Sequence, residues 1–174
     1  DRLSEVQKVI METHESAVRI IDKKGPLNNP ADRDHCLQYM AAIGLIHGGL
    51  VAEHYEDEAA ADPRIDALRA KMEVSEVTQY TKDYLDPEKR SIANAIQVVF
   101  KNGEKTEKVA VEYQIGHRRR RAEGIAVRVE KFENAIATRF SSKACQAILA
   151  LCSDQSRLEA TPVPDFVQLF VTSL

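Results

Sequence analysis

Two runs of alternating apolar and polar residues that meet at Asn102–Gly103 constrain the fold of this chain more than any other feature. Residues 95–101 form the first run, and residues 104–113 form the second. Asn-Gly supplies the two positive φ values of a type I′ turn, the connection that joins neighbouring antiparallel strands. We therefore predict an antiparallel hairpin in which residues 92–101 pair with residues 105–114.

One strand and several helices are predicted before the hairpin. Residues 5–13 alternate partly between apolar and polar, as a half-buried strand does. Residues 15–22 follow with helical spacing, and this short helix is predicted to end before Gly25-Pro26, because glycine and proline stop helices. Asp32 is a candidate N-cap for a longer helix with a broad apolar stripe, which stops at Gly48-Gly49.

The remaining segments indicate mostly helices. Short helices are predicted around residues 51–61 and from Pro63, residues 72–77 are a candidate strand, and residues 81–90 have the polar composition of a loop. Three more helices are predicted after the hairpin, at residues 125–140, at residues 142–153 and from about Pro164. This order indicates an α+β fold, in which an antiparallel sheet with a β-hairpin packs against helices and C-terminal helices follow.

A boundary is predicted near Gly124, where strands give way to consecutive helices. It separates an α+β domain at residues 1–123 from C-terminal helices at residues 124–174. Of the 174 residues, 44% are hydrophobic and 29% are charged, which is the composition of a chain that buries a core. Because Asp1 is not a natural initiator, we expect the chain to have been cut from a longer protein.

Charge and cysteine usage exclude several classes of function. A formal net charge of −3 gives the chain no global attraction to nucleic acid or to an anionic membrane. No apolar run approaches the roughly 18 residues that span a bilayer. The cysteines are scattered and form no Cys-x-x-Cys pair, which favours a reducing compartment; they are Cys36, Cys145 and Cys152.

Arg118–Arg121, preceded by Gly116-His117, is the strongest local concentration of charge in the sequence. Four adjacent guanidinium groups repel each other, so a bound anion or nearby carboxylates would stabilise the loop. One interpretation is therefore a solvated run that pairs with acidic surface residues, and another is a site for an anionic small molecule. Nucleic-acid binding is disfavoured, because no aromatic stacking platform accompanies the arginines.

A second basic cluster, Arg19, Lys23 and Lys24, lies at the end of the first short helix. Positions 19 and 23 share a helix face, which favours joint binding of an anion. Cations at a helix C-terminus are also typical of simple capping, and from the residues alone this second interpretation is the stronger one. Further along, His35 follows acidic residues and Tyr39 comes four positions later, so both would lie on one helix face, where they are candidates for proton transfer or for half-buried structural groups.

Metal and nucleotide chemistry find little support in the sequence. The candidate ligands gather around Gly48-Gly49 without the His-x-x-x-His spacing of a helical zinc site; they are His47, His54, Glu56 and Asp57. There is also no G-x-S-x-G motif, no P-loop and no G-x-G-x-x-G motif. We expect no metal and no cofactor.

Four long segments of the sequence follow the pattern of a known protein family. They are THESAVRIIDKKGPLNNPADRDHCLQYMAAIGLIHG, ADPRIDALRAKMEV, DYLDPEKRSIANAIQVVFKNG and VEYQIGHRRRRAEGIAVRVEKF. Together they resemble the C-terminal part of the 2-methylcitrate dehydratases of the MmgE/PrpD family. The resemblance implies a larger helical domain and a smaller α+β lid, to which residues 1–123 correspond, with the catalytic cleft between them. Two departures affect the arginine-bearing loop, since Gln114 and Ala126 stand where the family pattern has proline.

The same resemblance implies a hydro-lyase that converts 2-methylcitrate to 2-methyl-cis-aconitate in propionate catabolism, without an iron–sulfur cluster. A tricarboxylate substrate needs cations, and the implied substrate-binding residues are Arg19, Lys23, Lys24, His117, Arg118 and Arg119. His35 and Tyr39 are the implied catalytic residues of this chain, while the principal acid and base are expected in an N-terminal helical domain. A homodimer in the cytoplasm or the mitochondrial matrix is also implied.

Other functions remain open at this stage. Another member of the family, a cis-aconitate decarboxylase or an epimerase, would have the same lid with a different reaction. A non-catalytic carboxylate-binding module is an alternative from a different class. RNA binding through the arginines would make affinity fall steeply with salt.

Overall fold

The structure, a computed structural model, describes residues 2–171 and contains one four-stranded sheet. The strands are β1 (Val6–Thr13), β2 (Met72–Glu76), β3 (Asn94–Phe100) and β4 (Val109–Val111), in the spatial order β2-β1-β3-β4. β1 pairs antiparallel with β3, and β3 pairs antiparallel with β4. β1 and β2 are parallel, so the predicted antiparallel sheet is wrong for this pair. The helices between β1 and β2 carry the chain back across the sheet, and such a crossover produces parallel strands.

The chain divides into two units, residues 1–114 and residues 115–174. The sheet and its helices belong to the first unit, and the described part of the second unit is helical, so the α+β class is confirmed. The functional division after residue 123 stays a prediction. No helix within residues 2–171 has both the length and the apolar composition needed to cross a membrane.

The hairpin is present, but its second strand, β4, is shorter than the predicted residues 105–114, and its turn also differs from the prediction. Gly103 N–H donates to Phe100 C=O at 2.9 Å, and Phe100 N–H donates to Glu104 C=O at 2.8 Å. These bonds close a three-residue loop in which only Gly103 has a positive φ, 86°, so the predicted type I′ turn is wrong. A three-residue loop that ends with a left-handed glycine is the next most common way to close a hairpin.

The first unit has six α-helices in its described part. They are α1 (Glu15–Ile21), α2 (Pro30–Asp34), α3 (Leu37–His47), α4 (Asp57–Ala60), α5 (Pro63–Arg69) and α6 (Thr78–Leu85). The helix expected from Asp32 is divided into α2 and α3, because Asn29 caps α2 and Cys36 has an extended backbone. The prediction of a loop at residues 81–90 is wrong for the first part of this segment, which belongs to α6. This polar helix is held by a contact with another part of the chain, since the Thr81 hydroxyl accepts the Glu15 N–H at 2.9 Å.

The apolar core of the first unit lies between the sheet and helices α3 and α5. Val9 of β1 and Ile43 of α3 are fully buried, and Ile65 of α5 is 1% exposed. Each such side chain stabilises the fold by about 1.5–3 kcal/mol when it is removed from water. The core therefore fixes α3 and α5 against β1, and with them the loops that these helices carry.

The described part of the second unit contains four α-helices. They are α7 (Arg121–Ala137), α8 (Ser142–Cys152), α9 (Gln155–Ala160) and α10 (Val163–Gln168). The three predicted helices are confirmed, whereas α9 was not predicted. Ile136 and Ile148 are buried in this unit, but many of its apolar side chains are exposed. The exposed ones include Ile125, Val127, Val129, Val163 and Val167.

His14 joins β1 to α1 and is 6% exposed. Its Nδ1 atom accepts the Ala17 N–H at 3.3 Å as the N-cap of α1, and its ring stacks on Tyr84 with centroids 4.2 Å apart. Burial lowers the pKa of His14, and the nearby Glu15 carboxylate opposes this shift. The cap also requires a neutral ring, because protonated Nδ1 cannot accept a hydrogen bond.

We expect His14 to make the fold less stable in acid. Because its folded pKa lies below the ordinary value of 6.5, the unfolded chain binds the proton first as the pH falls through that value. The free energy of unfolding should therefore fall between about pH 7 and about pH 5, and His14→Asn, which keeps a capping oxygen, should lose this part of the decrease. Chemical denaturation at both pH values measures the effect.

Asn29→Ser is the matched control, because Asn29 Oδ1 also caps a helix of this unit by accepting the Asp32 N–H, at 2.9 Å, and neither asparagine nor serine titrates in this pH range. The control should keep the wild-type pH dependence. An unchanged pH dependence in His14→Asn would contradict the assignment.

Candidate functional site

A cleft of about 510 Å³ in the first unit contains part of the predicted basic cluster. One wall is the loop that follows α1, and the opposite wall is the end of α5 and the start of β2. The lining residues are Lys23, Lys24, Gly25, Pro26, Gln38, Asp66, Arg69, Ala70 and Met72. The structure thus brings Lys23 and Lys24 together at one concave surface.

Each lysine of the cleft already has a carboxylate partner. Lys23 Nζ lies 3.3 Å from Asp32 Oδ1, and Lys24 Nζ lies 2.6 Å from Asp22 Oδ1. The backbone N–H of Asn28 and the Lys23 ammonium together hold the pKa of Asp32 below its ordinary range. An anion that binds here must therefore compete with internal carboxylates for these cations.

Arg69 is a cation of the cleft that sequence reasoning missed. Its Nη2 donates to the Gly25 carbonyl at 2.8 Å, its Nη1 lies 2.5 Å from Asp66 Oδ1, and its side chain is 10% exposed. Its Nε is buried and has no hydrogen-bond partner within residues 2–171. The sequence offers only a cation near the end of a helix, which is also typical of capping, because the Gly25 partner lies 44 residues away.

Arg19 and His35 are exposed and are not among the residues that line the cleft. The Arg19 guanidinium lies 3.4 Å from Glu15 Oε1, with 76% of the Arg19 side chain exposed. His35 follows α2, and its Nδ1 lies 2.5 Å from Asp34 Oδ1. The carboxylate beside His35 matches the predicted orientation of a histidine by an acidic residue.

Tyr39 is 2% exposed, and its hydroxyl donates to the His54 carbonyl at 2.6 Å. Burial raises the pKa of this hydroxyl. The expectation that Tyr39 shares a helix face with His35 is wrong, because the break at Cys36 places the two residues on either side of a helix boundary. The observed contact of Tyr39 is with the backbone of the segment after α3.

Arg33, which sequence reasoning did not single out by itself, holds the same segment. It is 5% exposed, and its guanidinium donates to the Tyr55 carbonyl at 2.6 Å and lies 2.7 Å from Asp57 Oδ1. A buried cation with a paired carboxylate fixes its surroundings, because breaking the pair leaves an uncompensated charge. Arg33 and Tyr39 together anchor residues 54–57 beside the core.

The arginine run of the second unit forms a short 3₁₀ turn, Arg118–Arg120, before α7. His117 Nδ1 accepts the Arg119 N–H at 3.2 Å, and the Arg120 guanidinium pairs with Glu123 at 2.5 Å. The Arg120 guanidinium holds the pKa of Glu123 below its ordinary range. Arg118 and Arg119 are exposed to solvent, and their approach to the first basic cluster stays a prediction.

The histidines that were considered as metal ligands stack on each other. The rings of His47 and His54 have centroids 4.7 Å apart, and His54 Nδ1 accepts a backbone N–H. Within residues 2–171, no three His, Cys, Asp or Glu side chains gather as ligands of one metal ion.

Comparison with known proteins gives one consistent result. A family profile described as "MmgE/PrpD C-terminal domain" matches residues 1–155. The chain is 53% identical to a 2-methylcitrate dehydratase of Cupriavidus necator, and the match covers 96% of this chain and 34% of that protein. It is also 53% identical to a 2-methylcitrate dehydratase of Escherichia coli strain K12, over 97% of this chain and 35% of that protein.

A relative from Yarrowia lipolytica, named "2-methylcitrate dehydratase, mitochondrial", is 48% identical over 96% of this chain and 32% of its own length. The chain therefore spans about a third of the length of these curated relatives. The range that the family profile matches, residues 1–155, contains the segments that form the cleft and the arginine run.

We expect Tyr39→Phe to destabilise the first unit by about 0.5–1.5 kcal/mol, the usual contribution of one hydrogen bond, because His54 C=O loses its donor. Tyr55→Phe is the matched control, since the neighbouring Tyr55 stacks on Tyr39 and its hydroxyl makes no hydrogen bond within the described residues. Urea denaturation measures both variants. Equal stability of the two would contradict the anchoring role of the Tyr39 hydroxyl.

Proposed function

The chain belongs to the MmgE/PrpD family, and from this membership we infer that it is the C-terminal part of a 2-methylcitrate dehydratase. The observation that carries the proposal is 53% identity along almost the whole chain to curated enzymes of that name. The proposed reaction is the removal of water from 2-methylcitrate to give 2-methyl-cis-aconitate, in propionate catabolism. The complete enzyme requires a second, N-terminal part, because the chain spans about a third of its relatives.

Exposed apolar surface of the second unit supports a covering N-terminal helical domain. An apolar groove of about 700 Å³ runs between α7 and α8, and its lining includes Ile125, Val129, Phe132 and Leu149. Exposed apolar surface of this kind is typical of a region that another domain covers. A homodimer of the complete enzyme is part of the same proposal and follows from the family resemblance.

Dehydration of a tricarboxylate defines what the site must supply. Cations must hold the carboxylates, a base must remove a proton, and an acid must protonate the departing hydroxyl. We assign Arg19, Lys23, Lys24, His117, Arg118 and Arg119 to carboxylate binding. The principal acid and base belong to the N-terminal part, and no metal or cofactor takes part.

The internal ion pairs suggest how the cleft responds to a substrate. The Lys23–Asp32 contact, at 3.3 Å, is longer than the Lys24–Asp22 contact, at 2.6 Å. A substrate carboxylate therefore replaces Asp32 at Lys23 more readily than it replaces Asp22 at Lys24. Enclosure by the N-terminal part removes water and strengthens the new ion pair.

Of the two proposed proton-transfer residues, the contacts favour His35. Its ring is exposed and pairs with Asp34, which orients it as a donor. The Tyr39 hydroxyl already donates a hydrogen bond to a backbone carbonyl. Proton transfer by Tyr39 would first require that hydrogen bond to break.

The compartment is proposed to be the cytoplasm or the mitochondrial matrix. Cys36, Cys145 and Cys152 are all free thiols, which fits a reducing environment. The relative from Yarrowia lipolytica is named as mitochondrial.

The first test is the reaction itself. The intact enzyme should convert 2-methylcitrate to 2-methyl-cis-aconitate, followed by absorbance of the new conjugated double bond, and a chelator should leave the rate unchanged. The isolated 174 residues should show no turnover. Turnover of cis-aconitate in place of 2-methylcitrate would establish the decarboxylase alternative, and turnover by the isolated chain would refute the division of the site.

Removing single cations should weaken transition-state stabilisation in the intact enzyme. Lys23→Ala or Arg118→Ala should each cost about 1.5–3 kcal/mol, the range for a hydrogen bond to a charged group, which lowers kcat/KM roughly tenfold or more. Lys143→Ala, an exposed lysine of α8 that the proposal does not use, is the control and should keep wild-type kinetics. Unchanged kinetics in both test variants would show that the cations are misassigned.

A further inference from the structure

Gly124 lies in the first turn of α7 at a point where the chain passes unusually close to it. The residue is buried, and a Cβ atom added there would lie 2.3 Å from the Ile115 carbonyl oxygen and 3.4 Å from its carbonyl carbon. Real Cβ atoms do not approach a backbone oxygen so closely, and backbone moves less easily than a side chain. Since alanine is a better helix former than glycine, the close approach of Ile115 accounts for the glycine.

Arg128 makes a second contact with the same stretch of chain. It lies four residues after Gly124, which places both on one face of α7, and its Nη2 donates to the Gly116 carbonyl. The turn thus contacts α7 through two successive residues, Ile115 and Gly116. Both contacts are made to backbone atoms, so they fix the path of the chain.

The basic residues that follow are tied to this turn. Arg120 N–H donates to the His117 carbonyl at 2.9 Å, and His117 Nδ1 accepts the Arg119 N–H at 3.2 Å. Arg118 and Arg119 therefore belong to a turn that is held at two places. The segment before it contacts α7, and the hydrogen bonds of His117 hold the turn itself. Adjacent arginine side chains repel each other. Without the contacts that hold the turn, this repulsion would separate the side chains, and they would no longer point the same way.

We propose that Gly124 and Arg128 are positioning residues, which hold the Ile115–His117 turn against α7 and thereby aim Arg118 and Arg119 at the substrate carboxylates. This inference rests on the proposed function. Neither residue touches substrate. Their effect is preorganisation, since cations that are already in place lose less conformational entropy when the anion binds.

The test uses steady-state kinetics of the intact enzyme with 2-methylcitrate. Gly124→Ala and Arg128→Ala should each raise KM about fivefold or more with a smaller change in kcat, and Arg128→Lys, which keeps a donor, should recover part of the loss. Gly44→Ala is the matched control, because Gly44 is also a helical glycine but has open space where its Cβ would lie. It should keep the wild-type KM.

A double-mutant cycle separates positioning from a loss of fold. In the Arg118→Ala/Arg119→Ala background, Gly124→Ala should change KM less than twofold, because the groups that it positions are gone. Hydrogen exchange should also show faster exchange of the Arg119 and Arg120 amides in Gly124→Ala, with the amides of α8 unchanged. A purely structural role would instead give an equal effect in both backgrounds.

The outcomes distinguish this inference from the proposed function. If the intact wild-type enzyme does not dehydrate 2-methylcitrate, both are overturned. If Arg118→Ala raises KM but neither Gly124→Ala nor Arg128→Ala does, the positioning inference alone is overturned. It is likewise overturned if the effects of Gly124→Ala and the double arginine variant multiply independently.

Discussion

The hydrogen bonding of β1 along both of its edges is the constraint on which the first unit depends. β1 pairs with β2 on one side and with β3 on the other, so segments from distant parts of the sequence meet at a single strand. Because β1 and β2 are parallel, the loop after α1 returns to the edge where β2 begins. The cleft that contains Lys23, Lys24 and Arg69 is therefore a consequence of strand order.

Features encoded by neighbouring residues could be predicted from the sequence, and features that depend on distant partners could not. The hairpin, β1 and α1 follow from local spacing and turn residues, and Lys23 and Lys24 were placed together because they are adjacent. The parallel pairing of β2 required knowledge of where the crossover helices pack. Helix α6 is polar on average, so few apolar residues distinguish it from a loop, and it is held by a contact between Thr81 and Glu15.

The same distinction applies to the candidate site. Cation clusters are visible in the sequence, but their internal neutralisation is visible only in part. Asp22 and Asp66 are close in sequence to Lys24 and Arg69, whereas Asp32 lies nine residues from Lys23 and meets it only when the loop is folded. Pairing changes the expected chemistry. If the proposed function is right, such a site would hold its cations in order before the substrate arrives, and it would exchange one carboxylate for another instead of neutralising bare charge.

Several side chains anchor loops by donating to backbone carbonyls, and such a contact does not depend on which amino acid provides the carbonyl. Arg33, Tyr39, Arg69 and Arg128 bind the carbonyls of Tyr55, His54, Gly25 and Gly116. Every amino acid offers the same carbonyl oxygen. The bond from each anchor therefore survives a substitution of the residue that provides the carbonyl, whereas a single change at position 33 or 39 removes the donor. Sequence drift in these loops and sequence drift in their anchors have unequal consequences.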